Sequence, residues 1–381
     1  MSSSPVTINM VVHNGEKYIC QCLDSVLKQS YPHEFIELNI LDNNSTDKTV
    51  DLINQKLETN NQQLAGFSLT ESAKNLGMWP GQEELLKYSH GKFIVALSVD
   101  VILHPDFIKN AVEIMKHDDK IGALQAKVYK YELSKPEDGS IFGHRKTGGS
   151  CDDPKIIDTC GFKIFKSRRI VNIGHGEVDY GQYNKKCEIF AVEGAVPIFR
   201  REALEDCRLI SQARSFRGST SGASLRLNLG ETNLGRIVDL DFFWYGDDLD
   251  LAWRMRLFGW KQVYAPSVIA WHDRKTTKAL AGGWREFIKI RKTVPMFKRR
   301  LDWRNTTLTI IKNDFASNLL RDLPFILWRQ LRLWAYFVLF EPAMILEIFK
   351  VAKLLPRMLK RRGEIMRKSN VSPKEFRQWI N

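Results

Sequence analysis

The sequence predicts an α/β fold in which a mixed, mostly parallel sheet is flanked by helices and followed by a C-terminal helical extension. Three observations carry this. Short apolar, β-branched runs alternate with amphipathic helical patterns through the first half, and such alternation implies parallel strands covered on both faces. Polar clusters close three of those apolar runs. Beyond about residue 275 the composition turns to Arg, Trp, Leu and Phe in long helical patterns.

Each element has its own reason. "VTINMVVHN" reads as a buried strand ending in polar residues. "EKYICQCLDSVLKQSY" sets Tyr18, Ile19, Cys22, Leu23, Val26 and Leu27 at helical spacing. "FIELNILDNNSTDKTVDLINQKL" repeats strand, polar turn and helix, with Ser45 or Thr46 able to cap that helix. "KFIVALSVDVIL" is a third strand, and Pro105 starts another helix. Residues 132–155 and 211–236, rich in Gly, Ser, Lys and Arg, predict long surface loops. "IFAVEGAVPIFRREALEDC" returns to strand and helix, "DLDLAWRMRLFGW" is helical and closes at Gly259, and "KQVYAPSVIAWH" reads as a strand pair. The expected division is residues 1–275 and 276–381.

Apolar content of 44% and charged content of 27% are globular values, which argues against general disorder. From Arg274 onward there are 25 Lys and Arg against 8 acidic residues, a net of +17, while the preceding part nets −4. A basic tail on a mildly acidic body points to an anionic partner. The six cysteines show no paired CxxC spacing and no companion His set, so reduced cytosolic thiols are expected. The N-terminus lacks a basic n-region, and its apolar run is too short for a signal peptide.

Chemistry concentrates between Trp244 and His272. Asp247, Asp248 and Asp250 crowd at the start of a helical run, and His272 ends an apolar one. There the helix dipole lowers a carboxyl pKa, whereas like charges and burial raise it. Plain helix capping would use the same residues. In an open parallel sheet, ligands bind beyond the carboxyl ends of strands. His13-Asn14, Asp42-Asn43-Asn44-Ser45 and Ser98-Val99-Asp100 can therefore share one crevice. With no GxGxxG or GxxxxGK[ST] loop, a diphosphate would need another counter-charge, most simply a divalent metal on a carboxylate.

The blocks "INMVVHNGEKYICQCLDSVLKQSY", "LDNNSTDKTVDLI", "NLGMWPGQ", "LSVDVILHPDF", "VEGAVPIFRREAL", "FFWYGDDLDLAWRMRLFGW" and "VYAPSVIAWH" resemble, in order, those of family 2 glycosyltransferases of the GT-A fold. The nearest likeness is to bacterial rhamnosyltransferase-type enzymes of surface-polysaccharide synthesis, over roughly residues 5–275. The resemblance implies an inverting transfer from a nucleotide-diphosphate sugar to a glycan or polyprenyl-linked acceptor, with Mg²⁺ or Mn²⁺. It places His13, Asn14, Asp42, Asn43, Ser45, Asn75, Ser98 and Asp100 around the nucleotide sugar. Asp100 fills the last position of the metal-binding DxD motif, whose first position is Ser98 here, and His272 matches a second metal ligand. Asp248 aligns with the catalytic Asp of Glu-Asp-x-Asp, Asp247 replaces the Glu and is the reserve base, and Glu193-Gly194 match the acceptor-side loop. Arg254 and Arg256 either pair with these acids or reach phosphate.

In the extension, "LPFILWRQLRLWAYFVLFEPAMILEIF" is apolar but interrupted; its longest unbroken run, Leu333 to Phe340, is far short of the ~20 residues of a spanning helix. Trp and Tyr mixed with Arg, then "KLLPRMLKRRGEIMRK", suit a peripheral anchor on the cytoplasmic face of the membrane. No nucleic-acid module is recognisable. The alternative reading is a catalytically silent nucleotide-sugar- or glycan-binding membrane scaffold, since Ser98 and Asp247 depart from the usual pattern.

Overall fold

The computed structural model describes residues 3–58, 64–133, 145–146, 155–210, 235–274 and 284–381. Most of the two expected surface loops lies outside these residues. The chain opens with β1 (Val6–Val12), α1 (Ile19–Leu27), β2 (Ile36–Asp42), α2 (Thr49–Glu58), β3 (Gly66–Glu71), α3 (Met78–Leu85) and β4 (Phe93–Ser98). Strands β4, β1, β2 and β3 lie side by side and parallel. Every residue of β1 is buried. Thr7 and Asn9, although polar, are fully buried with its apolar residues.

Next come β5 (Val101–Leu103), α4 (Phe107–His117), β6 (Ile121–Lys130), the short pair β7 (Glu132–Leu133) and β8 (Arg145–Lys146), β9 (Ile157–Thr159), β10 (Phe162–Ile164), β11 (Ile170–Asn172), β12 (Cys187–Glu188) and β13 (Ile198–Arg200). Helices α5 (Arg201–Asp206) and α6 (Asp247–Leu257) precede β14 (Lys261–His272). Strand β13 inserts antiparallel between β4 and β6, and β14 runs parallel to β6. The sheet is therefore mixed, as expected.

Three local expectations change. "KFIVALSVDVIL" is two strands: β4 stops at Ser98, and β5 leaves to pair with β14, Val101 opposite His272. This break sets Asp100 beside His272. "KQVYAPSVIAWH" is one strand whose register shifts between Ala265 and Ile269, around Pro266, which has no N–H for the ladder. The amide of Thr49 at the start of α2 goes to the Asp47 carboxylate, while the Ser45 hydroxyl accepts from the Asn14 amide. The helix after Pro105 begins at Phe107.

The C-terminal part holds α7 (Trp284–Thr293), α8 (Met296–Asn313), α9 (Ala316–Arg321), α10 (Leu323–Phe340), α11 (Glu347–Lys368) and α12 (Pro373–Phe376). Helix α8 packs against α6 and α11. At their junction the Lys312 ammonium meets Asp239 at 2.5 Å and Asp250 at 2.8 Å, all three fully buried. Asp250 is also held by Arg254 at 3.0 Å and by the Asn313 amide at 2.8 Å, and Asp239 by Arg361 at 2.8 Å. Farther on, the Phe376 ring stacks on Trp253 of α6, 5.7 Å between centroids. Asp250 and Arg254 thus anchor α6 from below.

Removing one partner from such a buried network strands the opposite charge. Lys312→Ala should cost about 3–5 kcal/mol of stability, the usual loss for a broken buried pair. Denaturant unfolding monitored by circular dichroism checks this; a loss under about 1 kcal/mol, the size of an exposed pair, would refute the anchoring.

Candidate active site

The ends of β1 and β2 lock together through polar turns. Asn14 and Asn44 both adopt left-handed backbone (φ 51° and 67°), which Asn tolerates better than most residues. The Asn14 side-chain oxygen accepts the Thr46 amide at 2.8 Å, and the Ser45 hydroxyl accepts the Asn14 amide at 2.9 Å. Asp42 is buried; one oxygen accepts the Ser45 amide at 3.1 Å, and the other has no hydrogen-bond partner among the described residues. Asn43 donates to Asn75 at 3.0 Å and accepts the Leu76 amide at 2.7 Å. His13 stands exposed beside Asn14. Ser98 ends β4, its amide bonded to the Ala195 carbonyl at 3.0 Å. A methyl group on Gly15 would touch Val99 at 3.1 Å, so the first and third polar clusters lie against each other.

A line of alternating charges runs on from Asp100. Its carboxylate lies 3.4 Å from His272 Nε2, and His272 Nδ1 lies 2.9 Å from Asp158. Asp158 pairs with Arg274 at 2.8 Å, and Arg274 reaches Glu193 at 2.7 Å. The other Glu193 oxygen accepts the Ala195 amide at 3.0 Å, and the Gly194 amide between them donates to Asp248 at 3.1 Å. Burial opposes the charge on His272, but its hydrogen bonds to Asp100 and Asp158 prevail and raise its pKa to about 9. Burial likewise opposes ionisation of Asp100, and the His272 bond and charge hold it below the usual carboxylate range.

The three acids of α6 separate by environment. Asp250 is the anchor described above. Asp247 is buried, with one oxygen unpartnered among the described residues, and burial and then the charge of Asp248 raise its pKa well above the ordinary value. Asp248 keeps part of its side chain open to solvent. Burial and then the charge of Glu193 push its pKa up to about 6, against hydrogen bonds from the Leu249 and Gly194 amides. Neighbouring acids driven apart in this way are suited to different roles. Gly194 is a glycine for a local reason: a Cβ there would sit 2.9 Å from an Asp248 oxygen.

Arg254 bonds the carbonyls of Cys207 and Ile237 besides Asp250, and Arg256 bonds Glu188 and stacks on Trp379. Both are structural ties. Sequence reasoning missed Asp158 and Arg274. Their only signals were an acid inside the buried run "IIDTC" and an arginine two residues after His272. Tyr18, which read as an apolar helix position, donates to Asp273 at 2.7 Å beside this line.

Residues 7–174 match the sequence model of Glycosyl transferase family 2. Over these residues the chain is similar to family 2 glycosyltransferases. It is 29% identical over 159 residues to a dolichyl N-acetyl-α-D-glucosaminyl phosphate 3-β-D-2,3-diacetamido-2,3-dideoxy-β-D-glucuronosyltransferase from Methanococcus voltae, covering 38% of this chain and 49% of the relative. It is 23% identical over 181 residues to the poly-β-1,6-N-acetyl-D-glucosamine synthase of Staphylococcus aureus, covering 46% of this chain and 42% of the relative. The chain thus spans about half the length of these relatives. Among solved structures, a mannosyltransferase from Pyrobaculum calidifontis, in complex with GDP-Man and Mn²⁺, superposes with a TM-score of 0.50 at 16% identity, covering 96% of this chain and 86% of that one. The fold is the GT-A fold. The narrower likeness to rhamnosyltransferases rests on the sequence blocks alone.

The segment similar to the family includes Asp42, Asn75, Asp100 and Asp158. Glu193, Asp248, His272 and Arg274 lie beyond it and join the site by geometry. As a test for a divalent cation, Asp100 and His272 supply a hard oxygen and an imidazole within reach of each other. Among the described residues, no cluster of three or more His, Cys, Asp or Glu is arranged to hold an ion. Two protein donors fit a cation whose other ligands are substrate and water oxygens.

In chelator, the His272 pair should stabilise the protein fully below about pH 6.5 and lose that contribution as pH rises through about 9. Thermal denaturation between those limits should show the decline in the wild type and a flatter profile in His272→Gln. Parallel profiles would mean that His272 is not held by these two acids.

Proposed function

We propose that this protein is an inverting glycosyltransferase. It moves a sugar from a nucleoside-diphosphate sugar to a hydroxyl of a glycan acceptor, polyprenyl-linked, in cell-surface polysaccharide synthesis at the cytoplasmic face of the membrane. One observation carries the reading: Asp248, part-open to solvent and with its pKa raised to about 6, sits one peptide from Glu193, which Arg274 ties to Asp158, His272 and Asp100. A base near neutrality thus stands in contact with the machinery of a leaving-group site. The named relatives, which build glycans and act on a dolichyl-phosphate sugar, support the reaction class and the lipid-linked acceptor.

In this reading Asp248 takes the proton of the acceptor hydroxyl while that oxygen bonds to the anomeric carbon. The bond from that carbon to the diphosphate oxygen breaks on the opposite face, and its electron pair leaves with the nucleoside diphosphate. Asp42, with its unpartnered oxygen, and the Asn14, Asn43, Ser45 and Asn75 turns bind and orient the nucleoside. Asp100 and His272 would hold Mg²⁺ or Mn²⁺, which when bound neutralises charge developing on the diphosphate; the mannosyltransferase of the same fold holds Mn²⁺ with its GDP-Man. Asp247, pushed toward its neutral form, leaves the base role to its neighbour.

A panel of nucleotide sugars, incubated with Mn²⁺ and extracted lipid-linked glycans, tests this by radiolabel transfer. Turnover should climb as pH rises through about 6, where Asp248 loses its proton, and then level off. Asp248→Asn should lower turnover by about 10²-fold or more while donor affinity holds, because it removes only the proton acceptor. Asp247→Asn should cost less. Asp100→Ala should abolish the part of donor binding that EDTA removes. A folded Asp248→Asn enzyme with near-normal turnover would sink the base assignment, and absence of transfer from every donor would favour the silent scaffold.

A further inference from the structure

Helix α10 is apolar on both sides, and one of them faces solvent. Around its axis, the arc open to solvent carries Leu323, Pro324, Phe325, Leu327, Trp328, Leu331, Ala335, Val338 and Leu339, with Arg332 the one exposed charge in the helix. Trp328 and Leu331 are each 62% exposed and Leu339 71%. The inward side holds the part-buried Ile326, Gln330 and Leu333 and the buried Tyr336 and Phe337, which cluster with Trp303 and Trp334. Just beyond its end, the buried Glu341 fastens the helix by accepting from the Tyr336 hydroxyl at 2.7 Å and from Arg291 at 2.9 Å. A soluble helix buries its apolar stripe, because exposing one forfeits the hydrophobic gain. A contiguous exposed apolar face of this kind marks an interaction surface.

A second set of exposed apolar side chains follows along the chain, from the turn after α10 into α11. Leu346, Ile348, Phe349 and Leu359 are exposed, and on α11 they give way to Lys353, Lys360 and Arg367, also exposed, along one edge. At 100° per residue, the outer side of α11 therefore splits into an apolar strip and a basic strip. No helix among the described residues is long and apolar enough to cross a membrane.

We infer that the outer faces of α10 and α11 form a docking surface for an anionic lipid bilayer, with α10 immersed at the headgroup boundary and the basic edge of α11 against the phosphates. This deepens the membrane location proposed above and rests on that reading only for the side of the membrane. Charge complementarity selects lipid over a second copy of the chain. A copy would bring another basic surface from the tail that nets +17, whereas anionic headgroups neutralise it. Trp328 and the snorkelling Arg332 suit the interface, where an amphipathic side chain keeps one end wet. The anchor is rigidly joined to catalysis, because α11 packs on α8 and α8 supports α6, which begins at Asp247.

Flotation of the full chain with phosphatidylcholine vesicles, with and without phosphatidylglycerol, tests the surface. The wild type should float with the anionic vesicles, and high salt should reduce this only in part, since apolar insertion is not screened. The triple variant Leu327→Glu, Leu331→Glu, Leu339→Glu alters only exposed side chains; it should keep the wild-type circular dichroism and lose flotation. Lys353→Glu with Lys360→Glu should lose the preference for anionic vesicles. Wild-type protein that stays with the soluble fraction, or a triple variant that floats like the wild type, overturns the inference. So does a solution dimer that the three glutamates split while the wild type binds no vesicles. Mn²⁺-dependent binding of UDP and GDP, measured alongside, separates the two readings: flotation without nucleotide binding would sink the transferase and leave the docking surface standing.

Discussion

Five ionisable side chains in alternating sign, Asp100, His272, Asp158, Arg274 and Glu193, form the constraint on which the rest of this site depends. Burying charges is expensive unless each meets an opposite one in good geometry. Here no member meets a like charge next in line, so the pKa of His272 is raised and that of Asp100 lowered despite burial. The line also spans the two halves of the sheet. Asp100 hangs from the β4 to β5 break, Asp158 from β9, and His272 from the end of β14. Moving any of these strands breaks the sequence of charges, so the fold and the electrostatics specify each other.

At the far end of the line stands Asp248, held by a backbone amide rather than by a cation. That difference is chemical. An arginine beside it would hold the carboxyl low and make it a poor base, whereas a glycine amide fixes its position and leaves burial to raise the pKa to about 6. The missing side chain at Gly194 is what permits the contact. Two residues on, Asp250 is surrounded by Lys312, Arg254 and Asn313 and held low, chiefly by Lys312 against its burial. One turn of helix thus carries an acid pushed toward its neutral form, an acid poised to titrate and an acid held toward its charged form.

The C-terminal helices take part in this arrangement. Lys312 and Asn313 of α8 reach the underside of α6, and Asn305 donates to the carbonyls of Trp244 and Tyr245 just before it, at 2.9 and 2.7 Å. Tyr245 and Gly246 both have positive φ, a costly conformation for the tyrosine that these bonds help to hold. The segment that presents Asp247 and Asp248 is therefore shaped from outside the α/β sheet, by α8, on which α11 packs in turn.

What the sequence determined by itself was whatever depends on neighbours along the chain. Short apolar β-branched runs predicted β1 and β2, and helical patterns predicted α1, α2 and the buried α6, because burial selects such residues locally. Ordered blocks predicted the family and gathered Asn14, Asp42, Asn75, Asp100, Asp248 and His272 as site residues, since strand ends in such a sheet face one crevice. The tertiary structure decided the rest. That "KFIVALSVDVIL" must break at Ser98 follows from β5 pairing with a strand more than 160 residues away, which no local pattern encodes. Which of three adjacent aspartates titrates near neutrality depends on a lysine from α8 and a glycine amide from the β13 approach. Asp158 and Arg274 stayed hidden for the same reason. A carboxylate in an apolar run and an arginine after a histidine gain meaning only when folding places them 2.8 Å apart, because charge interactions depend on distance in space and burial, not on separation in sequence.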